Sequence, residues 1–159
     1  MTGPPASPQP RPGPLILALD AAGGGCSAAV VAGDEVLGLR HAAMMHGQAE
    51  ALLPLVDEAM RASGLTVAAL DLVAVTTGPG SFTGIRVGLA AARGIALAAN
   101  LPLLGVTGFE AAAAGAEAAM DGCCLVVALE SRRADLYVQL FDGHRNSLCE
   151  PVAVLPEAL

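Results

Sequence analysis

From residue 15 onward, short apolar runs alternate with punctuating glycines, and their spacing predicts a β-rich opening followed by helix–strand alternation. Leu15-Ile16-Leu17-Ala18-Leu19 is a continuous apolar run ending at Asp20, the pattern of a buried strand. Gly23-Gly24-Gly25 turns the chain, residues 26–32 return as a second strand, and Gly33-Asp34 is a hairpin signal before a third strand over 35–40. Residues 48–63 then change to a helical period. Leu52, Val56, Ala59 and Met60 share one face, and Gly64 stands where a C-terminal cap belongs. Pro54 inside this run predicts either a kink or a late first turn. A fourth strand over 71–77, a loop over 78–81, a second helix over 83–100 and a fifth strand over 103–106 follow.

Three strands, a helix, a strand, a helix and a strand is the order of a ribonuclease-H-like lobe, an α/β fold with a mixed five-stranded sheet and flanking helices. A helix over 109–120, a strand over 123–130 and a hairpin partner over 136–141 come next and read as the opening of a second lobe. The expected organisation is a disordered proline-rich tail (1–14, with six of the eleven prolines), a ribonuclease-H-like lobe (15–106) and a partial second lobe (107–159).

Composition sharpens this picture. More than half of the 159 residues are apolar, yet there are three Phe, one Tyr and no Trp, so the core must be aliphatic. The uncharged stretch 94–109 is broken by Asn100 and Pro102 and is too short for a membrane span. Arg11 precedes only five apolar residues, too few for a signal peptide, so a cytoplasmic location is expected. Net charge is −7, and all eight basic residues are Arg. Nucleic-acid binding draws on basic residues that meet phosphates, so any RNA must be held by something else. Cys26, Cys123, Cys124 and Cys149 have neither zinc nor disulfide spacing and are expected to be buried, reduced thiols.

Chemistry concentrates in Gly78-Pro79-Gly80-Ser81-Phe82-Thr83-Gly84-Ile85-Arg86-Val87-Gly88. A glycine-rich loop entering a helix can hold an anion on backbone N–H groups. The third glycine comes one residue late for a dinucleotide fingerprint, and no Lys follows as a phosphate-binding loop requires. The plainer account has Ser81 or Thr83 capping the helix while the glycines turn the chain. Within the helix, Gly84, Gly88 and Ala92 recur every four residues on one face, and each helical Gly costs about 1 kcal/mol relative to Ala. Close approach of a neighbour should offset that cost. Apolar Ile85, Val87, Leu89, Ile95 and Leu97 cover much of the remaining circumference, so the helix is expected to be buried on more than one side. Two accounts stand: one side faces another protein, or the chain's own core takes them all.

The Gly78–Gly88 run, the opening Leu17-Ala18-Leu19-Asp20, the segment 46–56 and Leu104-Gly105-Val106 together resemble the TsaB (YeaZ) family in type, order and spacing over residues 15–142. Glu130-Ser131-Arg132-Arg133-Ala134-Asp135-Leu136-Tyr137 resembles that family's Asp-x-Arg-Arg-x-Glu-x-Tyr with its two acids exchanged. The resemblance implies an actin-like ATPase superfamily fold and kinship with the catalytic subunit TsaD. TsaD carries a His-x-x-x-His metal pair just after its fifth strand. Here that position reads Thr107-Gly108-Phe109-Glu110-Ala111-Ala112, while His41, His46 and His144 are scattered. Asp20 matches a nucleotide-positioning Asp of the superfamily, but Ala21-Ala22 follows it where a hydroxyl is expected, so a role in the turn is the stronger reading.

The resemblance further implies a non-catalytic scaffold, binding no cofactor of its own, that supports TsaD in transferring threonylcarbamoyl to adenosine of tRNA. ATP would be used by the complex, a TsaE-like ATPase would assist, and tRNA would be met only through the complex. A homodimer would use the same helices in the partner's absence. The expected interface residues are Leu52, Val56 and Met60 on the first helix and Gly84, Ile85, Gly88, Leu89 and Ala92 on the second. The alternative is a small nucleotide-binding transferase or hydrolase using Asp20, Ser81 and Thr83.

Overall fold

The computed structural model describes residues 13–117, 123–131 and 133–158. Strands β1 (Leu15–Asp20), β2 (Gly25–Ala32) and β3 (Glu35–Ala43) form the expected antiparallel meander. Helix α1 (Gln48–Ser63) leads to β4 (Leu72–Thr76), and α2 (Phe82–Ala99) leads to β5 (Leu103–Val106). β4 pairs with β1, and β5 with β4, in parallel, giving the strand order β3-β2-β1-β4-β5. The five-stranded mixed sheet of the sequence reading is present.

Strand period decides where the core lies. Leu15, Leu17 and Leu19 of β1, Ala28 and Val30 of β2, and Val73 and Val75 of β4 point to one face, where Val56, Ala59 and Met60 of α1 and Ala92 and Ala96 of α2 cover them. Alternate residues Ala18, Ala29 and Ala74 lie side by side on the opposite face and are only half-buried. Leu39 and Leu104, which flank that row, are exposed. The aliphatic core thus sits between one side of the sheet and the helix pair.

Local chemistry explains the helix ends. Ser81 caps α2, its Oγ accepting from Gly84 N–H at 3.3 Å. Gly64 closes α1 in the left-handed region at φ 69°, and Asn100 does the same for α2 at φ 53°. Helix α1 continues through Pro54, whose ring lies on the exposed side.

A second sheet follows. Helix α3 (Gly108–Gly115) precedes β6 (Leu125–Glu130), β7 (Leu136–Phe141) and β8 (Val152–Val154), which pair antiparallel in that order. Phe109 and Ala113 of α3 pack on Val127 and Phe141. Three readings need correction here. The third helix ends at Gly115, before the predicted Met120, which lies outside the described residues. The strand predicted over 123–130 begins at Leu125, and β8 is three residues long, too short to announce itself by alternation. Of the four thiols only Cys26 is buried; Cys123, Cys124 and Cys149 are exposed. An apolar run does not imply burial in this sheet, because the face away from α3 leaves Val126 and Val152 half open to solvent. The tail over 1–12 lies outside the described residues.

By length and composition α2 alone among the described helices could cross a membrane. Its Gly84, Gly88, Ala92 and Ala96 lie buried while Arg86 and Arg93 point outward, the arrangement of a helix packed on a sheet.

Candidate functional site

Two places in the fold bear on function: a cleft at the ends of β1 and β4, and the outer side of the α1–α2 layer. The cleft, about 350 Å³, is lined by Asp20, Thr76, Gly80, Ser81 and Glu130 among others. Asp20 Oδ1 accepts from Ala22 N–H at 3.0 Å and from the Thr76 hydroxyl, so the carboxylate ties the turn after β1 to the end of β4. This is the turn role expected of it. Beside it, burial first and the Asp20 charge second push the Cys26 thiol above its ordinary pKa, and its Sγ–H donates to Gln48 C=O at 3.8 Å.

The glycine-rich loop is explained by the same turn. A Cβ on Gly80 would stand 2.2 Å from Ala22 O, and one on Gly84 would stand 1.9 Å from Ala21 O. Ser81 N–H donates to Ala22 C=O at 2.7 Å. The Ala21-Ala22 backbone therefore fills the space that the glycines vacate and takes a donor that a phosphate would need. Asp20 and Glu130 add two carboxylates to the wall of the cleft. Ser81 lines the cleft as the helix cap, whereas Thr83 is exposed on the first turn of α2 and is not among its lining residues.

The place where the resemblance would put a histidine pair is the start of α3. Thr107 caps it, its Oγ accepting from Glu110 N–H at 3.1 Å, while Glu110 Oε2 accepts from Thr107 N–H at 2.7 Å, a reciprocal capping box. Those bonds hold the Glu110 carboxyl below its ordinary pKa. Phe109 and Ala113 face inward. These side chains do not fit a histidine-ligated metal. His41, His46 and His144 are all exposed.

The expected interface residues are placed differently from the expectation. Leu52, Val56, Met60, Gly84, Gly88 and Ala92 are buried inside this chain. Gly84 lies on Ala21, and Gly88 faces Val75 and Ala21. Leu89 is half-buried against the core, and Ile85 is half-buried with its Cδ1 toward Gly78. The close neighbour that offsets the helical glycines is the chain's own backbone and sheet. Gly94 differs, because an added Cβ there would meet nothing within 4 Å. It shares the outward side of α2 with Phe82, Arg86, Ala90, Arg93 and Leu97. Leu97 is 85% exposed and Phe82 68%, and Leu53 of α1 is 53% exposed on the same layer. Sequence reasoning passed over this side because it followed the apolar and small residues. Arg86 and Arg93, seven residues apart, were the signal that could have marked it.

The family model for TsaD, tRNA N6-adenosine threonylcarbamoyltransferase, matches residues 41–152, most of the chain. The tRNA threonylcarbamoyladenosine biosynthesis protein TsaB of Escherichia coli is 30% identical over 133 residues, 84% of this chain and 57% of that protein. TsaB of Haemophilus influenzae is 34% identical over 122 residues, covering 77% and 51%. The chain belongs to the TsaD/TsaB (YeaZ) family. Among solved structures, YeaZ from Pseudomonas aeruginosa superposes with a TM-score of 0.77 at 26% identity, over 92% of this chain and 70% of that one. The two TsaB proteins match over 133 and 122 residues, whereas the tRNA N6-adenosine threonylcarbamoyltransferase of Erythrobacter litoralis matches over 62, at 42% identity. The chain spans about half to three-fifths of the length of these curated TsaB relatives.

Proposed function

We propose that this chain serves threonylcarbamoyladenosine formation on tRNA as a scaffold. The outer side of its α1–α2 layer would dock a TsaD-like transferase subunit, which performs the chemistry. The observation that carries this reading is the outward side of α2, where a side chain as large as Leu97 stands 85% in solvent beside the open position Gly94. Helical glycine in the open costs about 1 kcal/mol with no return inside this chain, whereas a second helix lying across it gains a close approach. Leu53 of α1 and Phe82 at the start of α2 are further exposed apolar groups on the same helix layer. The cleft supports the same division of labour. Its loop is packed by the chain's own backbone, its wall is acidic, and its aspartate is engaged in a turn. In this reading the chain uses no cofactor, ATP is consumed elsewhere in the complex with a TsaE-like ATPase assisting, and tRNA is held by other subunits.

The test is co-elution of the chain with the transferase subunit of the same genome. Gly94→Leu and Leu97→Glu are expected to abolish co-elution while leaving the far-UV spectrum of the free chain intact and its melting temperature no lower than before, with Gly94→Leu somewhat raised by its better helix propensity. Retained co-elution by both variants would refute the assignment of this face. The cleft itself, with Asp20 and Ser81 in its wall, is what favours a second reading as a small nucleotide-dependent transferase or hydrolase. Calorimetry with ATP and magnesium decides it, since micromolar binding abolished by Asp20→Asn would establish a nucleotide site.

A further inference from the structure

We infer that Arg86 and Arg93 are specificity determinants that read an acidic helix on the docked subunit, an inference that rests on the docking face proposed above. Both lie on the outward side of α2, and a seven-residue separation places them about 10 Å apart along the axis. Ala90 and Gly94 lie between and beside them, both exposed, so the surface between the two guanidinium groups is low. The Arg86 guanidinium rests 3.7 Å above the Phe82 ring, a cation–π contact that orients it before any partner arrives.

Charge accounting singles the two arginines out. Of the acids on α1, Asp57 is matched by Arg61 at 2.5 Å and Glu58 by Arg40 of β3 at 3.4 Å, while Glu50 in the first turn is exposed and has no ion-pair partner among the described residues. Among the described residues neither Arg86 nor Arg93 has an ion-pair partner. A chain of net charge −7 thus presents two uncompensated positive charges on the side where it also exposes its largest apolar groups. The complement is a helix with carboxylates about two turns apart and small or apolar residues between them. The TsaD family model spans both α1 and α2. A transferase subunit therefore has an equivalent helix layer to offer, and we assign the acidic helix to it. Nucleic acid is the poorer fit. Two phosphate contacts give little affinity, and Phe82, Leu53 and Leu97 have no use for a phosphate backbone.

Calorimetric titration of the full chain with the transferase subunit at 50 and 300 mM NaCl tests this, alongside Arg93→Glu, the double variant Arg86→Glu/Arg93→Glu, and the neutral pair Arg86→Gln/Arg93→Gln. The expected wild-type affinity falls about tenfold between the two salts, the double reversal loses about a hundredfold or more, and the neutral pair loses both affinity and salt dependence. Arg93→Glu alone loses about tenfold while Phe82 keeps its arginine. Wild-type binding that ignores salt, with affinity unchanged in both Glu variants, overturns the inference and leaves the docking face standing. Failure of the wild-type chain to bind at all removes the docking face itself. Salt-sensitive binding of tRNA to the free chain, lost in the double reversal, would reassign the arginines to phosphate and also overturn the inference.

Discussion

The two sides of α2 both carry glycine and alanine at four-residue spacing, yet they use it differently. On the inner side, Gly84, Gly88, Ala92 and Ala96 are buried, and Gly84 lets Ala21 C=O approach to a distance no side chain would allow. On the outer side, Ala90, Gly94 and Ala98 are exposed, with open space at Gly94. Small residues on the inner side are a requirement of this chain's own fold. Small residues on the outer side leave room that the fold itself does not fill, so spacing alone cannot tell an internal contact from an external one.

Single-methyl substitutions sharpen this contrast. Gly84→Ala puts a carbon into Ala21 C=O and is expected to cost about 3 kcal/mol of stability, read as a loss in the urea midpoint. Leu52→Ala should cost a similar 3 kcal/mol, because Leu52 is wholly buried; its exposed neighbour Leu53→Ala should leave the midpoint within about 0.5 kcal/mol and weaken only the docked complex. Thr107→Ala removes the cap of α3 and should cost about 1 kcal/mol. The cap also carries a pH signature. Glu110 has a lower pKa folded than unfolded, so its contribution is present above the ordinary glutamate pKa and is lost as pH falls through the lowered folded value. Wild type should therefore lose stability in that acidic window, and Glu110→Gln should lose less. Smallest of all, Gly94→Ala should raise stability by somewhat under about 1 kcal/mol, since the added methyl meets nothing and helix propensity improves. A destabilising Gly94→Ala, or a harmless Gly84→Ala, would break the distinction between the two sides.

Much of the first lobe was legible because its signals are local. Apolar runs, the Gly33-Asp34 hairpin, the Gly64 cap and the switch to helical period at α1 are each set by a few adjacent residues. The site was less legible. Ser81 as helix cap and Asp20 as turn residue could be read from their positions, whereas the role of Gly80 and Gly84 depends on Ala21 and Ala22, some sixty residues away. The exposed thiols of Cys123, Cys124 and Cys149 were missed because Cys123 and Cys124 stand ahead of β6 and Cys149 in the loop before β8, outside the strands that build the packed face.

The contact between the start of α2 and the turn after β1 has a mechanical consequence. Ser81 N–H is bonded to Ala22 C=O, Ala22 N–H to Asp20, and Asp20 to Thr76. Anything pulling or tilting α2 from outside acts on a short lever whose far end is the wall of the cleft. Grip on the helix and the shape of the cavity behind it are joined by three hydrogen bonds.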